Sequence, residues 1–599
     1  MLKRFFLNML SSFVGAWIAL ALFVISAVLL VLGLMGSFAL KSASQPEQVK
    51  SRSILVVDLD GVIEEREMAV EPDLSTILSG KLEAPQTLDV IVQSIREAAT
   101  NDDIVAIYLK CGSLAASPAT LNAIREELLD FKKTTGGAKK VFSYSDGYTQ
   151  GCYFIASVAD CIYMNPAGQL TLQGMSTTTM FMKGLFDKLG VEFQVVKVGT
   201  YKSAVEPYIL TDMSEPARAQ MDTLLNNMWG YIRAKISESR QTVTAEGIDS
   251  LVSRDYISFA PAEQAVKAGL VDSLAYERKI DARLASVAGR EVDKLNFVSP
   301  KTLVAQSPWA DSYDSKKQIA VLYACGEIAD GVNSQINYEN LVPVIVRLAD
   351  NDKVKGLVLR VNSPGGSVFG SDQIGEALDY FKSKGKPFTV SMGDYAASGG
   401  YWISCTSDRI FADPLTITGS IGIFGLLPNF KGTMGLLGVN SATVSTNPGA
   451  SFPTGMAPLD AEQLAVMQKY VDRGYDQFTT RVARGRHMDK QKVLRIAEGR
   501  VWDAQTAKRI GLVDALGGLR EAIEWTASKA GIASDYDVAA YPRVEPTIWN
   551  MMQLGSTTMG ELKTALDARD EDFIRTYMIK RLMSRRPVQA RMPEMRISL

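Results

Sequence analysis

The sequence predicts an α/β protein built as a tandem duplication of one unit, preceded by a single transmembrane helix. Three observations carry that prediction. Apolar, β-branched runs alternate with amphipathic helical runs in both halves of the 599-residue chain. Residues of the first half recur in the second at one constant offset of 248 positions. One long uncharged run stands near the N-terminus, and no comparable run follows.

In chain order, Lys3 and Arg4 precede an uncharged stretch from Phe5 to Leu40, most hydrophobic between Phe13 and Leu34. That exceeds the ~20 residues needed to span a bilayer and is longer than a secretory signal core. Residues 1–12 are expected in the cytoplasm and residues 13–40 in the membrane as an anchor, with the rest of the chain beyond it. Length and a 47% hydrophobic composition suit several globular units plus a membrane segment. The net charge of −2 gives no reason to expect a nucleic-acid partner. Five scattered cysteines (Cys111, Cys152, Cys161, Cys325, Cys405) form neither a disulfide framework nor a zinc motif. A single histidine, His487, in a basic stretch and expected at the surface, leaves little room for His-based catalysis or a metal site.

From Ser53 the runs ILVVDLDG, LDVIVQSIREAAT, IVAIYLK, ATLNAIREELLDFKKTT and KKVFSY read strand, helix, strand, helix, strand. Strands of this type are buried on both faces of a parallel sheet. The order returns as IAVLYACG, NLVPVIVRLADN, VKGLVLRVN, QIGEALDYFKSK and PFTVS. Both halves close on one phrase, AEQAVKAGLVDSL from Ala262 and AQTAKRIGLVDAL from Ala504. At the offset of 248, Asp146 falls on Asp394, Gly151 on Gly399, Tyr153 on Tyr401 and Pro166 on Pro414, and the register continues to Gly190/Gly438. So many Gly, Pro, Asp and Tyr identities in one register indicate duplication rather than shared periodicity. The expected units are residues 48–297, a polar connector at 298–317, and 318–545, followed by a helical and basic tail at 546–599.

The stretch Ser391–Ser404, SMGDYAASGGYWIS, is the centre of the second copy. PFTVS reads as a strand, MGDYAA as a tight turn, and SGG as the opening of a helix. A serine there presents its hydroxyl beside free backbone N–H groups that can hold an oxyanion. Taken alone it reads first as an ordinary N-cap. The two copies differ where chemistry would sit. Ser398 minus 248 is position 150, a glutamine, and Lys202, in VGTYKSAVEPY, plus 248 is Ala450. Ser420, in TGSIG, falls on Leu172. One copy thus has a serine without the lysine, and the other a lysine without the serine. A neutral lysine can act as the base if burial brings its pKa from about 10.4 to roughly 7–8. Asn362–Val368, NSPGGSV, offers Gly365 and Gly366 as backbone donors beside Gly399, where the first copy has CGSLAAS.

These motifs (RVNSPGGSV, DYAASGGYW, TGSIGIFG and GTYKSAVEP) resemble the long form of the signal peptide peptidase A family, membrane-bound serine proteases also called protease IV. The resemblance runs from the N-terminal run to about Tyr541. It implies a Clp protease/crotonase fold in each unit, a Ser/Lys dyad shared between the halves, and a homotetrameric bowl open toward the membrane. Carried over by motif, Ser398 matches the nucleophile, Lys202 the general base and Ser420 the hydroxyl that orients the lysine. Gly365 or Gly366, with Gly399, match the oxyanion hole. The residues call for no cofactor and no metal, and the resemblance further implies a bacterial inner-membrane location with the catalytic part in the periplasm, and remnant signal peptides and other apolar peptides as substrates.

Two other classes fit the residues alone. One is a crotonase-like acyl-CoA enzyme, whose fold also places two backbone N–H groups on a carbonyl oxygen. The other is a membrane scaffold that has lost the chemistry. Beyond Tyr541, Trp549–Leu566 suits an amphipathic helix at a subunit contact or on the membrane. Lys580–Arg596, with six basic residues and two prolines, reads as a solvated tail or as a polybasic contact with anionic headgroups.

Overall fold

The alternation of buried strands and one-sided helices produces two sheets whose main strands are parallel and run in the same order, with one antiparallel pair, Ile417–Gly419 on Val501–Asp503, at the edge of the second. The computed structural model describes residues 49–66, 86–305, 313, 315–330, 336–447, 449–450, 452, 455–543, 588–592 and 597–598. The anchor expected at 13–40, the amphipathic segment at 549–566 and most of the basic tail lie outside the described residues. Among the described residues, no helix is long and apolar enough to cross a membrane.

In the first copy, β1 (Ser53–Glu64), α1 (Leu88–Thr100), β2 (Ile104–Ala115), α2 (Pro118–Thr134), β3 (Lys140–Ser145), α3 (Gln150–Ala156) and β4 (Cys161–Met164) follow in order. Then come β5 (Ser176–Thr177), β6 (Glu192–Val198), the 25-residue α4 (Glu215–Ser239) and β7 (Ser273–Leu274). The sheet runs β1–β2–β3–β4–β7, all parallel, with Phe297–Val298 on the outer edge of β1. Helix α1 buries Leu88, Ile91, Ile95 and Ala98, the spacing of a single helical face turned to the sheet.

The second copy repeats this plan. Its elements are β8 (Gln318–Cys325), α5 (Tyr338–Asp350), β9 (Val354–Ser363), β10 (Gly365–Ser367), α6 (Val368–Ser383) and β11 (Phe388–Ala397). They continue with α7 (Gly399–Ser404), β12 (Arg409–Ala412), β13 (Ile417–Gly419), β14 (Ile423–Asn429), the 25-residue α8 (Ala461–Gly485), β15 (Val501–Asp503), β16 (Ala515–Leu516) and β17 (Asp537–Tyr541). The order β17–β8–β9–β11–β12–β16 reproduces that of the first copy, strand for strand. Val354–Ser363 is buried along nearly its whole length, as a central parallel strand must be.

Three local expectations change. MGDYAA is not a tight turn: β11 continues through it to Ala397, because Tyr395, Ala396 and Ala397 find a second partner in β13. A register shift between Val361 and Ser363 absorbs the extra residues around Gly393 and Asp394. The connector is not wholly irregular, since Pro300–Val304 forms a short helix capped by the Ser299 hydroxyl. The tail, where described, is extended instead of helical, as β18 (Val588–Arg591) and β19 (Ile597–Ser598). Its Arg591 is buried, not solvated, because it lies in a sheet and faces Glu327 at 3.6 Å.

That sheet combines parts of both copies. Strand β14 pairs antiparallel with β6, from Ile423↔Val198 to Asn429↔Glu192. On its other side it meets β18, which in turn pairs with β10. Strand β6 leads directly into the segment that bears Lys202.

Candidate active site

Ser398 sits between the end of β11 and α7, a helix of six residues, with φ 56° and ψ −113°. A left-handed serine costs on the order of 1–3 kcal/mol and persists only where its surroundings hold it. Here its N–H donates to Gly419 O at 2.8 Å, and its carbonyl accepts from Trp402 N at 2.9 Å. Ser420 is likewise left-handed (φ 51°), and its N–H donates to Arg500 O at 2.7 Å.

Lys202 enters from the first copy. Its Nζ lies 2.9 Å from Ser398 Oγ, 3.0 Å from Ser420 Oγ and 3.1 Å from the Ser420 carbonyl. All three residues are fully buried. Among the described residues no carboxylate reaches the amine, and burial holds Lys202 well below its ordinary pKa of 10.5. A neutral amine has two N–H groups and one lone pair. The carbonyl takes one N–H and the Ser420 hydroxyl the other, which leaves the lone pair for the Ser398 O–H.

Sequence reading did not identify what holds the lysine. Gly499, at φ +74°, packs so closely that a Cβ would stand 2.7 Å from Lys202 Cβ. Its N–H donates to Ile421 O at 2.8 Å, and Tyr201 N–H donates to Glu498 O at 3.0 Å. The Arg500 guanidinium stacks on the rings of Tyr201 (4.8 Å) and Trp502 (4.3 Å). Thus Glu498–Trp502 of the second copy holds the GTYKS segment of the first. The only local sign in the sequence is one glycine between Glu498 and Arg500.

The glycine pair lies at β10. Gly365 N–H donates to Ser363 Oγ at 3.2 Å, and Ile328 N–H donates to Gly365 O at 2.9 Å. Gly366 has φ +152°, where a Cβ would run into the Ile328 carbonyl. The strand before it is anchored to the first copy. Arg360 makes a two-pronged contact with Glu65 (2.8 and 3.0 Å), and Asn362 Nδ2 reaches both Glu65 (3.1 Å) and Asp394 (3.0 Å). Asp394 also accepts from Thr120 N at 2.9 Å. Burial, and then the Glu65 charge, push the Asp394 carboxyl above its ordinary range.

The counterpart position in the first copy is closed. Gln150 Oε1 accepts from Gln173 N (2.7 Å) and Gly174 N (2.9 Å), and Nε2 donates to Gly174 O (2.8 Å). The amide therefore occupies the place a nucleophile would need. Ala450, the counterpart of Lys202, is exposed, and so is His487.

Comparison with known proteins agrees with the duplication. Peptidase family S49 matches residues 133–291 and again 380–533, starts that differ by 247 (380 minus 133). The Clp protease family matches residues 309–411. Protease 4 of Salmonella typhi is 34% identical over 551 residues, which is 89% of this chain and 86% of that protein. Protease 4 of Haemophilus influenzae is 34% identical over 486 residues, 79% of this chain and 78% of that one. The chloroplastic serine protease SPPA of Arabidopsis thaliana is 27% identical over 541 residues, 88% of this chain and 76% of that one.

Proposed function

The chain belongs to peptidase family S49 and is a serine peptidase, and from that premise we propose that it works through a dyad of Ser398 and Lys202. The observation that carries this reading is the 2.9 Å contact between two fully buried side chains 196 positions apart, one from each copy. Lys202, neutral, takes the Ser398 proton as Oγ attacks a peptide carbonyl. Ser420 orients the amine and stabilises the ammonium that forms. Gly399 N–H, with that of Gly366, or that of Gly365 once it leaves Ser363 Oγ, receives the developing oxyanion, a contribution of about 10²–10³ per donor in comparable sites. The ammonium then protonates the leaving amine, and water activated by the same lysine releases the acyl-enzyme. Membership in this family sets aside the acyl-CoA and scaffold readings.

We extend the reading to place and substrate. The uncharged run Phe5–Leu40 supports a single-pass anchor. The two protease 4 relatives come from bacteria, which supports an inner-membrane location with the catalytic part in the periplasm. Remnant signal peptides and other apolar peptides are then the substrates, cut by a homotetramer. A fluorophosphonate probe tests the dyad: wild type labels at one serine, while Ser398→Ala and Lys202→Ala each lose labelling and peptide hydrolysis. Full labelling of Lys202→Ala at neutral pH would exclude the lysine as base.

A further inference from the structure

Helix α4 belongs to the first copy, yet part of its buried face lies on β15 of the second. Met221, Leu224 and Met228 share a core with Ile417 of β13 and Val501 of β15. The buried stripe of α4 runs from Ala217 to Ile236 and is apolar at every position but one, Gln220. That side chain is 2% exposed, and its Nε2 has no hydrogen-bond partner among the described residues. A buried donor without a partner disfavours the fold, and a methionine or leucine there would complete the stripe. The oxygen of the amide is what the structure uses. Val501 N–H donates to Gln220 Oε1 at 2.9 Å, across 281 positions of sequence. Two turns on, Asn227 Nδ2 donates to Asp503 at 2.9 Å, so the helix lies along the strand.

One peptide group links Gln220 to the site. Val501 N–H and Arg500 C=O belong to the same planar amide, and that carbonyl accepts from Ser420 N–H at 2.7 Å. Gln220 therefore fixes one end of a peptide whose other end fixes Ser420. Two hydrogen bonds that share an amide also polarise and strengthen one another. Ser420 requires such support, because its φ of 51° is one that a serine holds only when its surroundings impose it. Its hydroxyl and its carbonyl both meet Lys202 Nζ, at 3.0 and 3.1 Å. The same ladder reaches the nucleophile. Gly419 is paired with Val501, and its carbonyl accepts from Ser398 N–H at 2.8 Å.

We propose that Gln220 is a positioning residue for the peptidase: by holding the Arg500–Val501 peptide it sets Ser420, and through Ser420 the Lys202 amine, in line with Ser398. This rests on the Ser398–Lys202 reading of the site. Gln220 acts only through the backbone of β15. Without its oxygen the Val501 N–H loses that acceptor, the Arg500–Val501 peptide is free to tilt, and Ser420 loosens. Proton transfer from Ser398 then slows, so the loss falls on kcat and not on KM.

The test compares Gln220→Met, which keeps the length of the side chain but has no oxygen, with Gln220→Glu, which keeps an oxygen acceptor. Gln220→Met is expected to lower kcat for a fluorogenic peptide by about 10- to 100-fold, with KM within about a factor of two, the scale of a misplacement of up to about 1 Å. Its Tm should stay within about 3 °C of wild type, since it sheds one unmet donor at Nε2 as it creates another at Val501. Its pH profile should move to a lower apparent pKa, because an ammonium that has lost the Ser420 oxygens is less favoured than the neutral amine. Gln220→Glu should keep kcat within about threefold of wild type, which a purely steric role would not require. Wild-type kcat in Gln220→Met, or equal losses in the two variants, would overturn the proposal and leave the dyad standing. Loss of fold in Gln220→Met would also overturn it, by making the amide a requirement of folding. Peptide hydrolysis at the wild-type rate by Lys202→Ala would instead overturn the dyad on which the proposal rests.

Discussion

Lys202 owes its chemistry to its surroundings, since burial is the one cause that lowers its pKa. In the proposed dyad the base form is needed, so kcat/KM should rise with pH through an apparent pKa well below 10.5 and then level off. A flat profile from about pH 6 to 10 would exclude this, since an ordinary lysine titrates near the top of that range. The same shift has a cost in stability. Between the depressed folded pKa and 10.5 the unfolded chain binds the extra proton, so this group's contribution to stability rises with pH across that window. Lys202→Met removes the penalty. At pH 7 it should abolish turnover yet raise Tm by about 2–4 °C, the shift that about 1 kcal/mol produces in a medium-sized domain. The gain should shrink as the pH approaches 10.5, which thermal scans at two pH values would check.

Strand β10 is three residues long, yet it packs against α7, the helix that follows Ser398, the proposed nucleophile. Its geometry depends on Gly366, whose φ of +152° disfavours any other residue and whose missing Cβ leaves room for the Ile328 carbonyl. Gly366→Ala should therefore displace the edge and lower kcat/KM by at least about 10²-fold, the weight of one oxyanion donor. Far-UV circular dichroism should remain that of wild type, because both large sheets are untouched. Activity within a factor of two of wild type would show that the edge tolerates a side chain. The buried Arg360–Glu65 pair plays a supporting part, holding β9 against the first copy so that β10 starts from a fixed position.

For the molecule as a whole, the duplication divides the proposed site between two copies of a fold. Each copy retains a complete sheet, but Gln150 fills the nucleophile position of the first, and the second has Ala450 where the lysine would be. Strands β6 and β14 join the copies and carry Lys202 to Ser398 within a single chain. Co-expressed Ser398→Ala and Lys202→Ala chains should consequently fail to complement, even in a mixed oligomer, with activity below about 1% of wild type; two groups that act as a unit fail together. Recovery toward a quarter or half of wild-type activity would mean that the dyad forms between chains.

The sequence by itself determined the α/β class, the duplication and its constant offset, and singled out Ser398, Lys202 and Ser420, which meet in the structure. Those features are written in local periodicity and in a constant offset, both of which survive without knowledge of contacts. Tertiary structure alone decided the rest. MGDYAA reads as a turn in isolation and becomes strand because β13 lies beside it. The sequence singles out Lys202 but not its burial, which depends on Gly499 and Arg500 closing over its segment. Residues 588–591 read as a solvated basic tail, because their β character comes from two distant edges and not from their own side chains. Pairing partners hundreds of residues away leave little trace in local sequence, since a strand's stability depends on the neighbours it packs against.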